Sequence, residues 1–236
     1  DGTIWAGTSQ GLMRVVDGRF EAVTEARELS TRGVCALHFD GDGTLWIGTF
    51  DRGMAALAGG RLMRIGEAEG LPARGIGAIL DDGLGYLWLG TNRGVLRMSR
   101  AELKQVVEGR QASLSVRLFD RGDGLASADC PVGYQPTAIK DTSGRLWFST
   151  LRGVARVDPG TLRVNTVPPD VLIDEVRVDD RLVAGSQLTP LVWGATAPVN
   201  VPAGSQRLEV HYTALSLAAP DKVRFMYRID GLDTDW

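Results

Sequence analysis

The feature that most constrains this chain is one sentence written four times. Gly2-Thr3-Ile4-Trp5-Ala6-Gly7-Thr8 runs on to Gly11-Leu12, and Gly43-Thr44-Leu45-Trp46-Ile47-Gly48-Thr49 to Gly53-Met54. Gly85-Tyr86-Leu87-Trp88-Leu89-Gly90-Thr91 runs on to Gly94-Val95, and Gly144-Arg145-Leu146-Trp147-Phe148-Ser149-Thr150 to Gly153-Val154. The tryptophans lie 41, 42 and 59 residues apart. A period near 40, with a turn, a Trp-bearing strand and a second turn in each copy, marks the blades of a β-propeller. One copy cannot bury its apolar face alone, so the copies must stack. The expected fold is all-β.

Alignment on Trp exposes a second repeated segment. Gly33 and Gly75 each lie 13 residues before their Trp, and Asp40, Asp82 and Asp141 each lie 6 before. The intervening runs, 34–39, 76–81 and 135–140, are short, mostly apolar and bounded by turn residues, as inner strands are. This is strand A, the Trp strand is B, the strand opening at Gly53, Gly94 or Gly153 is C, and a fourth such as 61–65 is D. Asp-Gly and Gly-Gly pairs punctuate them as tight hairpins require. The first copy lacks strand A, so the expectation is a partial ring of about four four-stranded blades, with further blades upstream. Ser99-Arg100-Ala101-Glu102 is a capping box followed by Leu103, Val106 and Val107 at helical spacing and by Gly109. It predicts a short helix between strands C and D of the third blade, with strand D resuming over 114–119.

The repeat stops after Asp158-Pro159-Gly160, and Val167-Pro168-Pro169-Asp170 reads as a stiff extended linker. The expected domains are residues 1–165, propeller repeats, and 166–236, a β-sandwich. The second rests on a strand at 171–178 and on two period-two runs, Leu208/Val210/Tyr212 and Val223/Phe225/Tyr227/Ile229. The chain ends on Trp236, which suggests an Ig-like sandwich truncated at its C-terminus.

Composition removes some function classes. A net charge of -3 disfavours nucleic acid and anionic membrane as partners. No apolar run is long enough for a spanning helix. Cys35 and Cys130 have neither metal nor redox spacing, and a buried free thiol is the simpler reading of Cys35 than a bond between the two.

Catalytic signals are poor. His38 aligns with Leu80 and Ile139 in strand A and reads as structural; His211 alternates outward from Val210 and Tyr212. Neither has a second His at ligand spacing, so no metal, cofactor or catalytic residue is expected. Asp40-Gly41-Asp42-Gly43 hints at calcium but lacks the bidentate acid of a calcium loop, and a β-turn explains it better. Arg121-Gly122-Asp123 matches an adhesion tripeptide, and a turn explains it better too. The tryptophans, at equivalent positions, read as inter-blade core.

Topology supplies the positive argument. In a four-stranded meander the loop entering A and the B-to-C turn lie at one end. Here they carry Arg32 and Arg74 before two A strands, Arg52, Arg93 and Arg152 in three B-to-C turns, and Asn92 and Tyr134 on the same rim. Guanidinium forks suit carboxylates and other oxyanions. These seven residues are the expected ligand-binding set, for a small molecule that is anionic or a saccharide.

The Gly-x-Leu-Trp-x-Gly-Thr…Gly-Leu unit, with Gly70-Leu71-Pro72 ahead of strand A, resembles the two-component regulator propeller repeat. The tail from Val223 to Trp236 resembles the opening of the three-tyrosine (Y_Y_Y) domain that follows such propellers. The resemblance implies the periplasmic, extracytoplasmic sensor region of a bacterial inner-membrane receptor, itself not an enzyme. Its propeller would bind a ligand, and its sandwich would relay to a downstream transmembrane helix and a histidine kinase or diguanylate cyclase, in a homodimer. The alternatives from the residues are a propeller lyase and a protein-interaction scaffold; the shortage of histidine weighs against the lyase.

Overall fold

The computed structural model describes residues 2–29, 33–162, 169–185, 191–192, 200–216, 223, 225 and 227–231. The chain divides into two compact units, residues 1–162 and 163–236.

The first unit is four antiparallel sheets in sequence order. Blade 1 is β1 (Trp5–Thr8), β2 (Gly11–Val16) and β3 (Arg19–Ala22), followed by a 3-10 turn at Thr24–Leu29. Blade 2 is β4 (Val34–Phe39), β5 (Leu45–Thr49), β6 (Met54–Ala58) and β7 (Arg61–Ile65). Blade 3 is β8 (Ile76–Asp81), β9 (Tyr86–Thr91), β10 (Gly94–Ser99), helix α1 (Arg100–Val107) and β11 (Val116–Phe119). Blade 4 is β12 (Ala138–Lys140), β13 (Leu146–Thr150) and β14 (Gly153–Val157). Each sheet is a meander of neighbouring strands, as the repeat predicts. Blade 1 shows three strands among the described residues, at the positions of B, C and D. Blade 4 has three strands among the described residues, not four, and its strand A is shorter than the 135–140 segment. Pro136 has no N–H to give a ladder, and the side chains of Gln135 and Thr137 bond the Gly77 carbonyl of blade 3 instead.

The inner strands bring the sheets together: β1 lies against β4, β4 against β8, and β8 against β12. The glycine two places after Trp5, Trp46 and Trp88 explains how closely they approach. A Cβ on Gly7 would sit 2.6 Å from Val34 Cγ1 and 2.7 Å from its carbonyl oxygen. A Cβ on Gly48 would meet Ile76 at 2.8 and 2.9 Å in the same two ways. At Gly90 the neighbours are Phe148 and Cys130, at 3.2 and 3.7 Å. Each glycine lets the following blade press its backbone or a large side chain against strand B.

Three of the repeat tryptophans then face the next blade. Trp5 packs with Val34, Leu45 and Ile47, Trp46 with Ile76, Leu87 and Leu89, and Trp88 with Leu146 and Phe148. Trp46 and Trp88 are fully buried. Their indole N–H groups still need acceptors, and the recurrent aspartate supplies them. Trp46, Trp88 and Trp147 donate to Asp40, Asp82 and Asp141 at 3.3, 2.9 and 2.9 Å. The same carboxylates accept backbone N–H groups of the A-to-B turn from Gly41, Leu84 and Ser143. The six-residue spacing is thus a bracket between turn and core. At Asp141 the indole bond holds the carboxyl below its ordinary range.

Helix α1 forms where its capping box predicts. Ser99 Oγ accepts the Glu102 N–H at 3.4 Å. The return half of the box is diverted: Glu102 Oε2 accepts from Ser115 N at 2.8 Å, which ties the helix to the approach of β11. Strand D starts at Val116, two residues later than expected. Leu103 and Val106 enter the core shared by blades 2 and 3. Arg100 reaches across to the Asp40 carboxylate of blade 2 and donates to Asp81 of blade 3 at 3.0 Å. Lys104 pairs with Asp42. The Asp-Gly-Asp-Gly segment is therefore a turn whose acids meet N–H groups and cations. Arg121–Asp123 is likewise a 3-10 turn, capped by Asp120.

In the second unit β15 (Val171–Val178) pairs with β16 (Arg181–Gly185), β17 (Leu191–Val192) and β18 (Leu208–Ala214). This is one sheet; the second sheet of the expected sandwich is not among the described residues. Leu208, Val210 and Tyr212 are 39–51 % exposed, so the alternating face is not buried, although Tyr212 meets Phe225 edge-on at 5.0 Å. No strand covers the described positions 223, 225 and 227–229. Pro168 and Trp236 lie outside the described residues.

Trp88→Ala removes a fully buried indole and is expected to lower the unfolding free energy by about 3–5 kcal/mol. Urea denaturation of the purified chain checks this; an unchanged midpoint would mean that the blade alignment is wrong.

Candidate functional site

The repeat threonine builds the B-to-C turns. Thr8, Thr49, Thr91 and Thr150 donate to the carbonyls of Gly11, Gly53, Gly94 and Gly153 at 2.8–3.0 Å. The same hydroxyls accept the backbone N–H of Gln10, Arg52, Arg93 and Arg152. The turn-closing glycines have φ from 77 to 138°, a region that side-chain-bearing residues avoid. These turns bond the segments entering strand A. Phe50 N donates to Gly33 O at 3.0 Å, Gly53 N to Arg74 O at 2.7 Å and Asn92 N to Gly75 O at 3.3 Å. The two loop types share one end, as the topology requires.

A cavity of about 660 Å³ opens at that end, within the range of small-molecule sites. Its walls are the first residues of β4, the blade 1 turn at Thr8 and Ser9, the blade 2 turn at Phe50 and Asp51, and Gly133 and Gln135. Two local irregularities shape it. The blade 2 turn has one residue more between Thr49 and Gly53 than its counterparts have, and this brings both Phe50 and Asp51 to the wall. The long segment before β12 crosses the inner strands. Val132 lies beside Gly75 and the Pro131 carbonyl against Gly77. Strands β4 and β8 both slip register by one residue, at Cys35 and at Gly77. The Gln135 side-chain amide donates to both of these carbonyls. Bulges of this kind re-aim backbone groups, and here Gln135 joins two blades through them.

The expected ligand set divides. Arg32 lies outside the described residues. Arg52, Arg74, Arg93, Arg152, Asn92 and Tyr134 are all exposed, and none lines the cavity. Arg74 makes a bidentate pair with Glu67, at 3.1 and 3.0 Å, which holds the glutamate below its ordinary pKa. Arg93 donates to Pro72 O at 3.3 Å, and Asn92 Oδ1 accepts from Gly75 N at 3.4 Å. These three brace the loop entering β8. The charged side chain in the cavity wall is Asp51.

Cys35 is half-buried in the wall and Cys130 fully buried, both as free thiols. Burial pushes the Cys35 thiol up and that of Cys130 to about 11, away from reactive thiolates. Among the described residues no three His, Cys, Asp or Glu side chains form a metal cluster, and no helix is long and apolar enough to cross a membrane.

His38 lies at the other end of the blades. Its Nε2 is buried without a hydrogen-bond partner. Burial lowers its pKa; Asp81 opposes this, while Arg100 and Lys140 reinforce it. His211 is exposed on β18, 3.9 Å from Glu175 and from Glu209.

Residues 28–51 match the family described as the two component regulator propeller. Among curated proteins nothing matches. Solved structures similar to this chain include an extracellular domain assigned to a hybrid two component system, BT3049, from B. thetaiotaomicron. It has 14 % identity and a TM-score of 0.42, over 94 % of this chain and 35 % of that one. The extracellular domain of BT4673, assigned to a one component system of the same organism, has 14 % identity and a TM-score of 0.43, over 78 % and 21 %. PorZ, a bacterial surface component of the type-IX secretion system of Porphyromonas gingivalis, has 14 % identity and a TM-score of 0.37, over 88 % and 33 %. The chain spans about a third or less of the length of these proteins.

A folded pKa below the unfolded value of about 6.5 means that the folded state takes up the His38 proton less readily. Stability is therefore expected to fall as pH drops below about 6.5. His38→Leu, which copies Leu80 of the next blade, should remove part of that slope. Urea midpoints between pH 7.5 and 5 measure it; an identical slope in the variant would contradict the assignment.

Proposed function

We propose that this chain is part of the extracytoplasmic ligand-sensing region of a bacterial membrane receptor of the two-component class. A small ligand would occupy the cavity at the loop-bearing end of the blades. The observation that carries this reading is a coincidence of two independent facts. The segment that matches the two component regulator propeller, residues 28–51, is also the one that contributes β4, Phe50 and Asp51 to the cavity wall. The cavity has the size, the aromatic side chain and the few polar groups of a small-molecule site.

In this reading the cavity body is neutral to weakly acidic, and the arginines stand on its outer rim. Arg52 adjoins Asp51 in the longer turn, and Arg152 lies in the equivalent turn of blade 4. A ligand with an apolar face for Phe50 and an oxyanion or hydroxyl groups for the rim fits this arrangement, whether an organic acid or a saccharide. Binding would bias the receptor by its differential affinity for two arrangements, relayed through the second unit to a membrane helix and an output domain, a histidine kinase or diguanylate cyclase.

Thermal shift against organic acids, acidic saccharides and neutral saccharides tests the reading. A true ligand at about 100 times its Kd stabilises by about 2.7 kcal/mol. Phe50→Ala, at an exposed position, should abolish most of the shift, and Arg52→Ala should weaken it for anionic compounds at low salt. A ligand whose shift survives Phe50→Ala intact would place binding elsewhere and overturn the assignment.

A further inference from the structure

The residue opposite Trp on strand C has a partner of its own on strand D, and blades 1, 2 and 3 differ there in charge. In blade 1 Arg14 stands opposite Trp5 and is itself opposite Glu21 on strand D. In blade 2 the corresponding pair is Ala56 and Met63. In blade 3 it is Arg97 of β10 and Arg117 of β11, two cations in direct register on neighbouring strands. Like charges placed directly opposite destabilise a sheet. The acid of blade 1 and the apolar pair of blade 2 both avoid that repulsion; blade 3 does not.

Among the described residues no carboxylate relieves the pair. Arg97 and Arg117 are half-buried, and the Nε atom of each is buried without a hydrogen-bond partner. Leu162 packs on this face, and residues 163–168 that follow it carry no Asp or Glu. Aromatic rings hold the two guanidiniums instead. The central carbon of the Arg97 guanidinium lies 3.6 Å from the Tyr86 ring centre and 5.6 Å from that of Trp88. That of Arg117 lies 4.9 Å from the Phe119 ring centre, and Phe119 stacks on Trp88 at 5.4 Å. The rings form one platform with two cations on it. A ring face attracts a cation through its quadrupole and brings no charge. Two positive charges therefore stay uncompensated, and the N–H edges of two forks remain for an acceptor.

We infer that Arg97 and Arg117 form a binding site for a tetrahedral dianion, a phosphate or sulfate group, on the outer two strands of blade 3. Two guanidiniums are matched in charge by one dianion, and its several oxygens can accept from both forks at once. Opposite residues of an antiparallel pair have Cβ atoms about 4.5–5.5 Å apart, which puts one anion within reach of both stems. The inference is independent of the ligand reading. Neither arginine lines the cavity, so the failure of one leaves the other standing.

Thermal melting of the chain tests it, with inorganic phosphate, sulfate or glycerol phosphate replacing chloride at constant ionic strength. The expected result is a saturable rise in Tm, about 3–6 °C at ten times the Kd. Exclusion of such anions from the protein surface raises Tm without saturating, in parent and variants alike, so the saturable part reports the site. Arg117→Glu, which copies blade 1, and Arg117→Met, which copies blade 2, should both lose that part. In chloride Arg117→Glu should melt no lower than the parent, because it exchanges a repulsion for an attraction; this shows that the variant folds. Arg14→Met, at the equivalent arginine of blade 1, should keep the saturable rise. Saturation by phosphate and sulfate supports a site that a free ion fills, and saturation by glycerol phosphate alone supports one for an esterified group. A parent chain with no saturable rise in any of the three would overturn the inference. So would an Arg117→Glu chain that keeps the rise, or an Arg14→Met chain that loses it.

Discussion

The whole first unit depends on the approach of one blade's inner strand, or a large inner side chain, to the glycine of the preceding Trp strand. Remove the space above Gly48 and the Ile76 backbone must retreat. Trp46 then loses the blade that buries it. The interface is dominated by apolar area and close packing, which reward contact steeply and tolerate little extra volume. That is why the same small residue recurs where three blades meet the next.

Polar groups then fix what apolar contact alone would leave loose. The Trp–Asp bracket satisfies a buried indole and shapes a turn with one carboxylate. Arg100 takes the blade 2 copy of that carboxylate and joins it to blade 3. Gln135 performs the corresponding task at the opposite end, through the bulged carbonyls of β4 and β8. Blades 2 and 3 are thus tied at both ends, and the cavity opens beside the upper tie. A ligand that displaced Gln135 would act directly on the blade-to-blade spacing.

Periodic features were legible in the sequence because four copies average out local accident. Strand order and helix α1 both follow from spacing. The aspartate six residues before Trp was visible as a regularity, but its partner was not, since an indole acceptor has no sequence signature of its own. The cavity was missed for the opposite reason: its walls are departures from the repeat. The extra residue between Thr49 and Gly53 was the available signal. The path of residues 130–135 over two blades had none. Arg52, Arg74, Arg93 and Arg152 lie in the turns and entering loops that the repeat marks, but Glu67 lies in the same entering loop as Arg74, and period counting does not reveal such local pairing. In the second unit, alternation at 208–212 marked a strand correctly and its burial wrongly, because period two reports a sheet face and not what covers it.

Gly48→Ala tests the central claim most directly. Gly48 has no positive φ to complicate the exchange, and the added methyl meets Ile76 of the next blade most closely, at 2.8 and 2.9 Å, with Ala36 of its own blade at 3.0 Å. The expected loss of unfolding free energy is about 1–3 kcal/mol, read from urea denaturation, while Ser149→Ala in the fourth copy should cost no more than its hydrogen bond, about 1 kcal/mol. A Gly48→Ala chain as stable as its parent would contradict the account, because the blades would then not be set by that approach.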